Sequence, residues 1–126
     1  MPYTLAYNPE LGIIEVTCQG TLTIAEARQY YAEVEPIIIA HDCARFLADF
    51  REAKLKVTTA EMYHAPDMIL KLLTRAGIPF FRLKRAMVIA GDVKDFTFFT
   101  NAAFNRGQNT KLFQDINEAR KWLAGK

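Results

Sequence analysis

Up to Cys18 the chain alternates hydrophobic and polar positions, and beyond Thr23 the period changes. Tyr3, Leu5 and Tyr7 alternate with Thr4 and Ala6, and Ile14, Val16 and Cys18 alternate with Ile13, Glu15 and Thr17. Between the two runs, Asn8-Pro-Glu-Leu-Gly12 carries turn chemistry, which predicts an antiparallel hairpin. Gly20 breaks the alternation. From there Ile24, Ala27, Tyr31, Val34 and Ile38 recur at three and four, on one helical face, with Glu26, Arg28 and Glu33 on the other. Thr23 and Glu26 have the capping-box spacing that starts such a helix. Pro36 lacks an amide proton and its ring meets the carbonyl of Ala32, so a kink or an early end is expected there.

Arg45-Phe-Leu-Ala-Asp-Phe-Arg51 has the composition of a strand buried on both faces of an α/β sheet. Residues 52–57 read as a connection in which Leu55 and Val57 alternate with Lys54 and Lys56. Thr58 and Glu61 repeat the capping-box spacing, and Pro66 suits the first position of a second helical segment carrying Ile69, Leu72 and Leu73 inward. Gly77 and Pro79 end it. A second doubly buried strand is predicted from Leu83 to Ala90. Asp95 caps a helix bearing Phe96, Phe99, Ala102, Ala103 and Arg106, with Gly107 as its left-handed C′ residue. A short strand from Thr110 to Phe113 and a helix capped by Asp115 and Glu118, docking Ile116, Ala119, Trp122 and Leu123, complete the pattern. The order is β-β-α-β-α-β-α-β-α. Strands reached through helices are expected to run parallel through right-handed crossovers, with ligand sites beyond their carboxyl ends. That edge gathers Asp49, Arg51, Thr58, Thr59, Asp92 and Asp95, the candidate polar site.

Composition narrows the class. A chain of 126 residues suits one domain spanning 1–126, and 51% hydrophobic with 24% charged residues is the balance of a globular protein. No apolar run approaches the roughly 20 residues that cross a bilayer. The start, Met-Pro-Tyr-Thr-Leu, has no basic region leading into an apolar stretch, so no secretory signal is expected and a cytoplasmic location follows. Cys18 and Cys43 lack CxxC spacing and read as buried thiols. A net charge of +2 is too small to drive nucleic-acid binding by electrostatics.

Several of these segments resemble the SpoIIAA-like bacterial family. The resemblance is carried by Tyr-Asn-Pro-Glu-Leu-Gly-Ile-Ile-Glu-Val in the hairpin, Leu-Ala-Asp-Phe-Arg at the central strand, and Asp95-Phe-Thr-Phe-Phe99 leading to Asn105-Arg-Gly107. It is carried also by Leu112-Phe-Gln-Asp115 with the following Glu-Ala and Trp-Leu pairs. It covers nearly the whole chain and places it with STAS domains, the fold of anti-sigma factor antagonists, which is related to the CRAL-TRIO lipid-binding domains. The fold it implies is an N-terminal hairpin followed by βα units, with a five-stranded mixed sheet and four main helices; the implied role is mostly non-enzymatic. Antagonists of this type carry a phosphorylatable serine at the start of the helix after the central strand. This chain contains no serine, and its hydroxyls near that place are Thr58 and Thr59.

Each candidate has a structural reading beside the functional one. Asp49 and Arg51, two apart on a strand, share a side and read first as an ion pair. Thr58 reads as an N-cap. His41, Asp42 and Cys43 are adjacent and cannot readily converge on one tetrahedral ion, so neither a metal nor a cofactor is expected. In the Phe-rich set of Phe80, Phe81, Phe96, Phe98, Phe99 and Phe104, which Met62 and Met68 join, one helix cannot bury the aromatics at 96, 98, 99 and 104 on a single narrow face. They form the candidate apolar ligand site or interface, and exposed members would favour a homodimer. No nucleophile, base and orienting group stand in a recognisable arrangement. The leading reading is a regulatory module that binds a protein partner, and the rival is a carrier of a small apolar or lipid-like ligand held between sheet and helices. A weak hydrolase or isomerase using Asp49, Arg51 and Asp92 comes third.

Overall fold

The computed structural model describes residues 3–90 and 109–125, apart from the side chains at 55, 59, 62 and 63. Strand β1 (Tyr3–Asn8) turns through Asn8, whose side chain accepts from the amides of Glu10 and Leu11, into β2 (Ile13–Thr23). Gly12 closes the turn at φ 67°, a left-handed conformation that a Cβ would strain. Helix α1 (Ile24–His41) is followed by β3 (Arg45–Lys56), α2 (Thr59–His64), α3 (Pro66–Arg75), a 3-10 turn (Phe80–Arg82), β4 (Lys84–Val88), β5 (Asn109–Phe113) and α4 (Ile116–Leu123). The strands form one five-stranded sheet in the order β1-β2-β3-β4-β5. Its first pair is antiparallel and the other three are parallel; α1 and the α2–α3 pair carry the crossovers from β2 to β3 and from β3 to β4.

The sheet is covered on both faces. Phe46, Ala48 and Phe50 point to the face packed by α1 and α3, where Val34, Ile38, Ile69 and Leu73 close the larger core. Leu47 points the other way, with Ile13, Ala86 and Val88, and meets Ala119 and Leu123 of α4. This two-sided burial is what makes residues 46–48 of β3 and 86–88 of β4 continuous apolar runs.

Three expectations are corrected. Helix α1 does not end early at Pro36 but continues to His41, where Asp42, at φ 47° and ψ 46°, ends it. Val34 and Ile38, buried on either side of the proline, hold the helix against the sheet, and this packing outweighs the lost amide. Gly20 does not end β2, and residues 52–56 are strand, not connection. Gln19 to Thr23 pair with Glu52 to Lys56 as a two-stranded ribbon extending past β4. A register shift between Thr17 and Gln19 marks a bulge, and Gly20 sits just beyond it at φ 70°. The second parallel strand is also shorter than expected, ending at Val88. Of the four main helices, α1, the α2–α3 pair and α4 are placed. The helix expected from Asp95 lies outside the described residues.

Candidate functional site

Of the polar candidates, Asp49 and Arg51 lie where β4 and β5 end. Val88 pairs with both Asp49 and Phe113, so Asp49 is level with the carboxyl ends of the neighbouring strands even though β3 itself runs on. Asp49 is buried and faces the α4 side. Arg51 grips it in a fork: Nε donates to Oδ1 at 3.0 Å and Nη2 to Oδ2 at 2.8 Å, and the Arg51 amide adds a third bond at 3.1 Å. Burial pushes the Asp49 carboxyl up, but the hydrogen bonds from the Arg51 side chain and amide, with its charge, outweigh this and leave it below the ordinary value.

Two further charges join from elements the sequence does not connect. Arg120 of α4 reaches Glu15 of β2 with bonds of 2.9 and 3.3 Å, and Asn8 donates to the same carboxylate at 3.1 Å. Burial pushes the Glu15 pKa up, but the bonds from Arg120 and Asn8, with the Arg120 charge, outweigh this and leave it below the ordinary value; the Arg120 charge also acts on Asp49. Glu15 and Arg120 are 105 positions apart, so no local spacing could have announced the pair. Both carboxylates titrate lower in the folded protein than unfolded. Their stabilisation is therefore complete above the unfolded carboxylate pKa, about 4, and is lost as the pH falls through the depressed folded values. A variant carrying Asp49→Asn and Glu15→Gln is expected to melt with a weaker pH dependence than the parent across roughly pH 2 to 5. An unchanged slope would place the acid sensitivity elsewhere.

Thr58 starts α2 as a complete capping box. Its hydroxyl accepts from the Glu61 amide at 3.1 Å, and its own amide donates to Glu61 Oε1 at 2.7 Å. The side chain of Thr59 and residues Asp92 and Asp95 lie outside the described set. The structure thus brings Asp49 and Arg51 together and leaves Thr58 apart from them, past the far end of the β2–β3 ribbon, in a capping role.

A second feature lies on the opposite face. Between the sheet and α1, α2 and α3 an apolar cavity of about 70 Å³ is lined by Val16, Ala27, Ala48, Met68 and Met87, among others. Arg85 forms part of its wall at 3% exposure, donating from Nη1 to the Tyr31 hydroxyl at 2.8 Å. The Tyr30 ring lies against Tyr31 at 4.5 Å. Burial first, and then the neighbouring Tyr31 phenol, push the Tyr30 hydroxyl well above its usual pKa, with Arg85 partly offsetting them. Of the apolar candidates, Met68 lines this cavity. Phe80 and Phe81 are on the outside of the molecule, at 48% and 74% exposure. Met62 has no described side chain, and Phe96, Phe98 and Phe99 lie outside the described residues. Arg85 was missed in the sequence. The signal for it is parity, since Arg85 alternates with Met87 and Ile89, which face the same core. Neither cysteine is bridged. Burial, then the charge of Asp49, raise the Cys18 thiol to about 12, and burial also raises Cys43.

A five-stranded mixed sheet led by a hairpin, packed on both faces and closed by a C-terminal helix, is a SpoIIAA-like fold. Residues 13–124 match the SpoIIAA-like family, and the chain belongs to it. In structure it is similar to an uncharacterized protein with a SpoIIAA-like fold from Shewanella loihica PV-4. The two share 18% identity over 96% of this chain and 91% of that one, with a TM-score of 0.57. It is similar also to the anti-sigma factor antagonist SpoIIAA in its unphosphorylated form (11% identity, 98% and 99% coverage, TM-score 0.61). An anti-sigma factor antagonist from Mycobacterium paratuberculosis gives 10% identity, 96% and 92% coverage and a TM-score of 0.56. At these identities the likeness is one of fold. No curated protein matches the chain significantly.

Proposed function

We propose that the chain is a non-enzymatic regulatory module that binds a protein partner at the carboxyl edge of its parallel strands. The observation that supports this reading most is the end-to-end likeness of fold to an anti-sigma factor antagonist, covering 98% of this chain and 99% of that one. The edge suits the role chemically. The β2–β3 ribbon stands beyond β4 and presents exposed Glu52, Lys54, Lys56 and Thr58, with Arg51 held by Asp49 at its base. Asp92 and Asp95, which follow β4 in sequence, are included in the proposal on sequence grounds alone. Because the Thr58 hydroxyl already caps α2, the proposal assigns it no phosphorylation.

The apolar cavity favours a second reading, the carrier or sensor of a small ligand. At about 70 Å³ it is roughly half the size of an engineered apolar cavity of about 150 Å³ that admits benzene, so its occupant is small or inserts only its tip. The guanidinium in the wall suits a carboxylate at one end of that ligand. Native mass spectrometry of the protein purified from its own organism tests both readings. A stoichiometric protein partner, lost in a Lys54→Glu, Lys56→Glu variant, supports the module. A small co-purifying acid, lost when Ala48→Leu fills the cavity, supports the carrier. A bare chain in every preparation overturns both.

A further inference from the structure

Among the described residues the exposed large hydrophobics are Ile39, Phe80 and Phe81, at 60%, 48% and 74% exposure, and all three lie at the edge opposite the proposed partner site. Phe80 and Phe81 occupy the 3-10 turn just before β4. The turn is fixed, not loose. Ile78 and Leu83 on either side of it are buried, Leu83 donates back to the Phe80 carbonyl at 3.0 Å, and Lys84 bonds the Ala44 carbonyl at 2.9 Å. The two rings, edge to face at 6.3 Å, are therefore held outward by an anchored backbone. Ile39 lies one helical turn beyond Glu35, whose carboxylate takes bonds of 2.6 and 3.1 Å from Arg75 at the end of α3, five residues before Phe80.

The charge around the turn has one prevailing sign. Between Asp67 and Asp92 the chain has no acidic residue and five basic ones. Arg85 is interior and Lys84 lies over the Trp122 ring, which leaves Lys71, Arg75 and Arg82 on the surface, joined by exposed Arg45. Glu35 and Asp42 face two of these four cations, through the Arg75 pair and the Arg82–Asp42 contact at 3.2 Å, so the surroundings remain net positive.

We propose that this edge docks on an anionic lipid surface, with Phe80 and Phe81 entering the headgroup boundary and the basic side chains meeting lipid phosphates. Three side chains fall well short of the roughly 800 Å² that each partner contributes to a stable protein interface. A bilayer surface asks for less: a few inserted rings and nearby cations whose apolar stems lie along the boundary. The inference is independent of the partner reading, because the two sites occupy opposite ends of the strands.

The test is co-sedimentation with vesicles of phosphatidylcholine alone and of phosphatidylcholine mixed with phosphatidylglycerol, at low and high salt. The protein is expected to pellet with the mixed vesicles, far less with the neutral ones, and to be released by salt. A Phe80→Ser, Phe81→Ser variant is expected to bind the mixed vesicles at least about tenfold more weakly, with an unchanged melting temperature since both rings are outside the core. Arg82→Gln is expected to give a smaller, salt-sensitive loss. A parent protein that stays in the supernatant with both vesicles overturns the proposal, as does a serine variant that pellets like the parent. A serine variant that turns a vesicle-indifferent dimer into a monomer overturns it too, and assigns the rings to the homodimer that the aromatic-rich sequence suggests.

Discussion

Leu73→Ala is expected to lower the stability of the fold by about 3 kcal/mol, within the range of about 2 to 5 for truncating a fully buried leucine. Leu73 is 0% exposed and stands where α3 meets the larger core, with Ile69 and Leu72 beside it and Ile38 in the same cluster. Its carbonyl accepts from the Ile78 amide at 2.9 Å, which ties the backbone of α3 to the segment leading into β4. With the backbone fixed in this way the neighbours cannot collapse into the space left by the side chain, so the cavity persists and adds to the lost transfer energy. In a chain of this size the melting temperature should fall by roughly 10 °C. Urea unfolding checks it: the midpoint should fall while the slope stays constant. Leu70→Ala, one turn back on a half-exposed position, serves as the control and should cost less than about 1 kcal/mol. Equal losses at the two positions would mean that α3 does not pack as described.

The layers around Leu73 were readable in the sequence because each buried element carries its own period. Phe46, Ala48 and Phe50 alternate with Leu47, and Ile69, Leu72 and Leu73 recur at helical spacing, so both the strand and the helix announced themselves. The capping boxes at Thr23 and Thr58 were readable for the same local reason, and both are formed. The β2–β3 ribbon was not. Beyond Cys18 it leaves the covered part of the sheet, and Gln19, Gly20 and Thr21 are exposed, with Leu22 the buried residue that follows. A strand with little to bury has little hydrophobic signature, and Gly20, which pairs with Ala53 just beyond the bulge, reads locally as a breaker. Pro36 misled in the opposite sense, since the local cost was visible and the packing that overrides it was not. At the candidate site, the Asp49–Arg51 pair follows from strand parity, whereas the Glu15–Arg120 pair exists only once α4 has docked on the sheet. The sequence likewise has no local sign that Arg85 shares a wall with Tyr31, since 54 positions separate them.

That pair carries the second large effect. Tyr31→Phe is expected to cost about 2 kcal/mol, in the range for removing a hydrogen bond to a charged group, because it takes an acceptor from a guanidinium that has almost no access to water. Arg85→Met keeps much of the apolar stem and removes the charge. By itself it should also destabilise, since the Tyr31 hydroxyl, in a wall that is otherwise largely apolar, loses its charged donor. Once the charge is gone the phenol has less to offer, so the double variant should lose about 1 to 2 kcal/mol less than the sum of the two single losses. The cycle is measured by urea unfolding of the four proteins. A coupling of that size means that Tyr31 helps to fix the guanidinium in the cavity wall. A coupling near zero means that other contacts position Arg85, and the polar end of the cavity would then owe nothing to the phenol. The first outcome also makes a ligand statement: Tyr31→Phe should weaken retention of an acidic occupant more than that of a neutral analogue of the same shape, because the hydrogen bond orients the charge while the apolar walls remain intact.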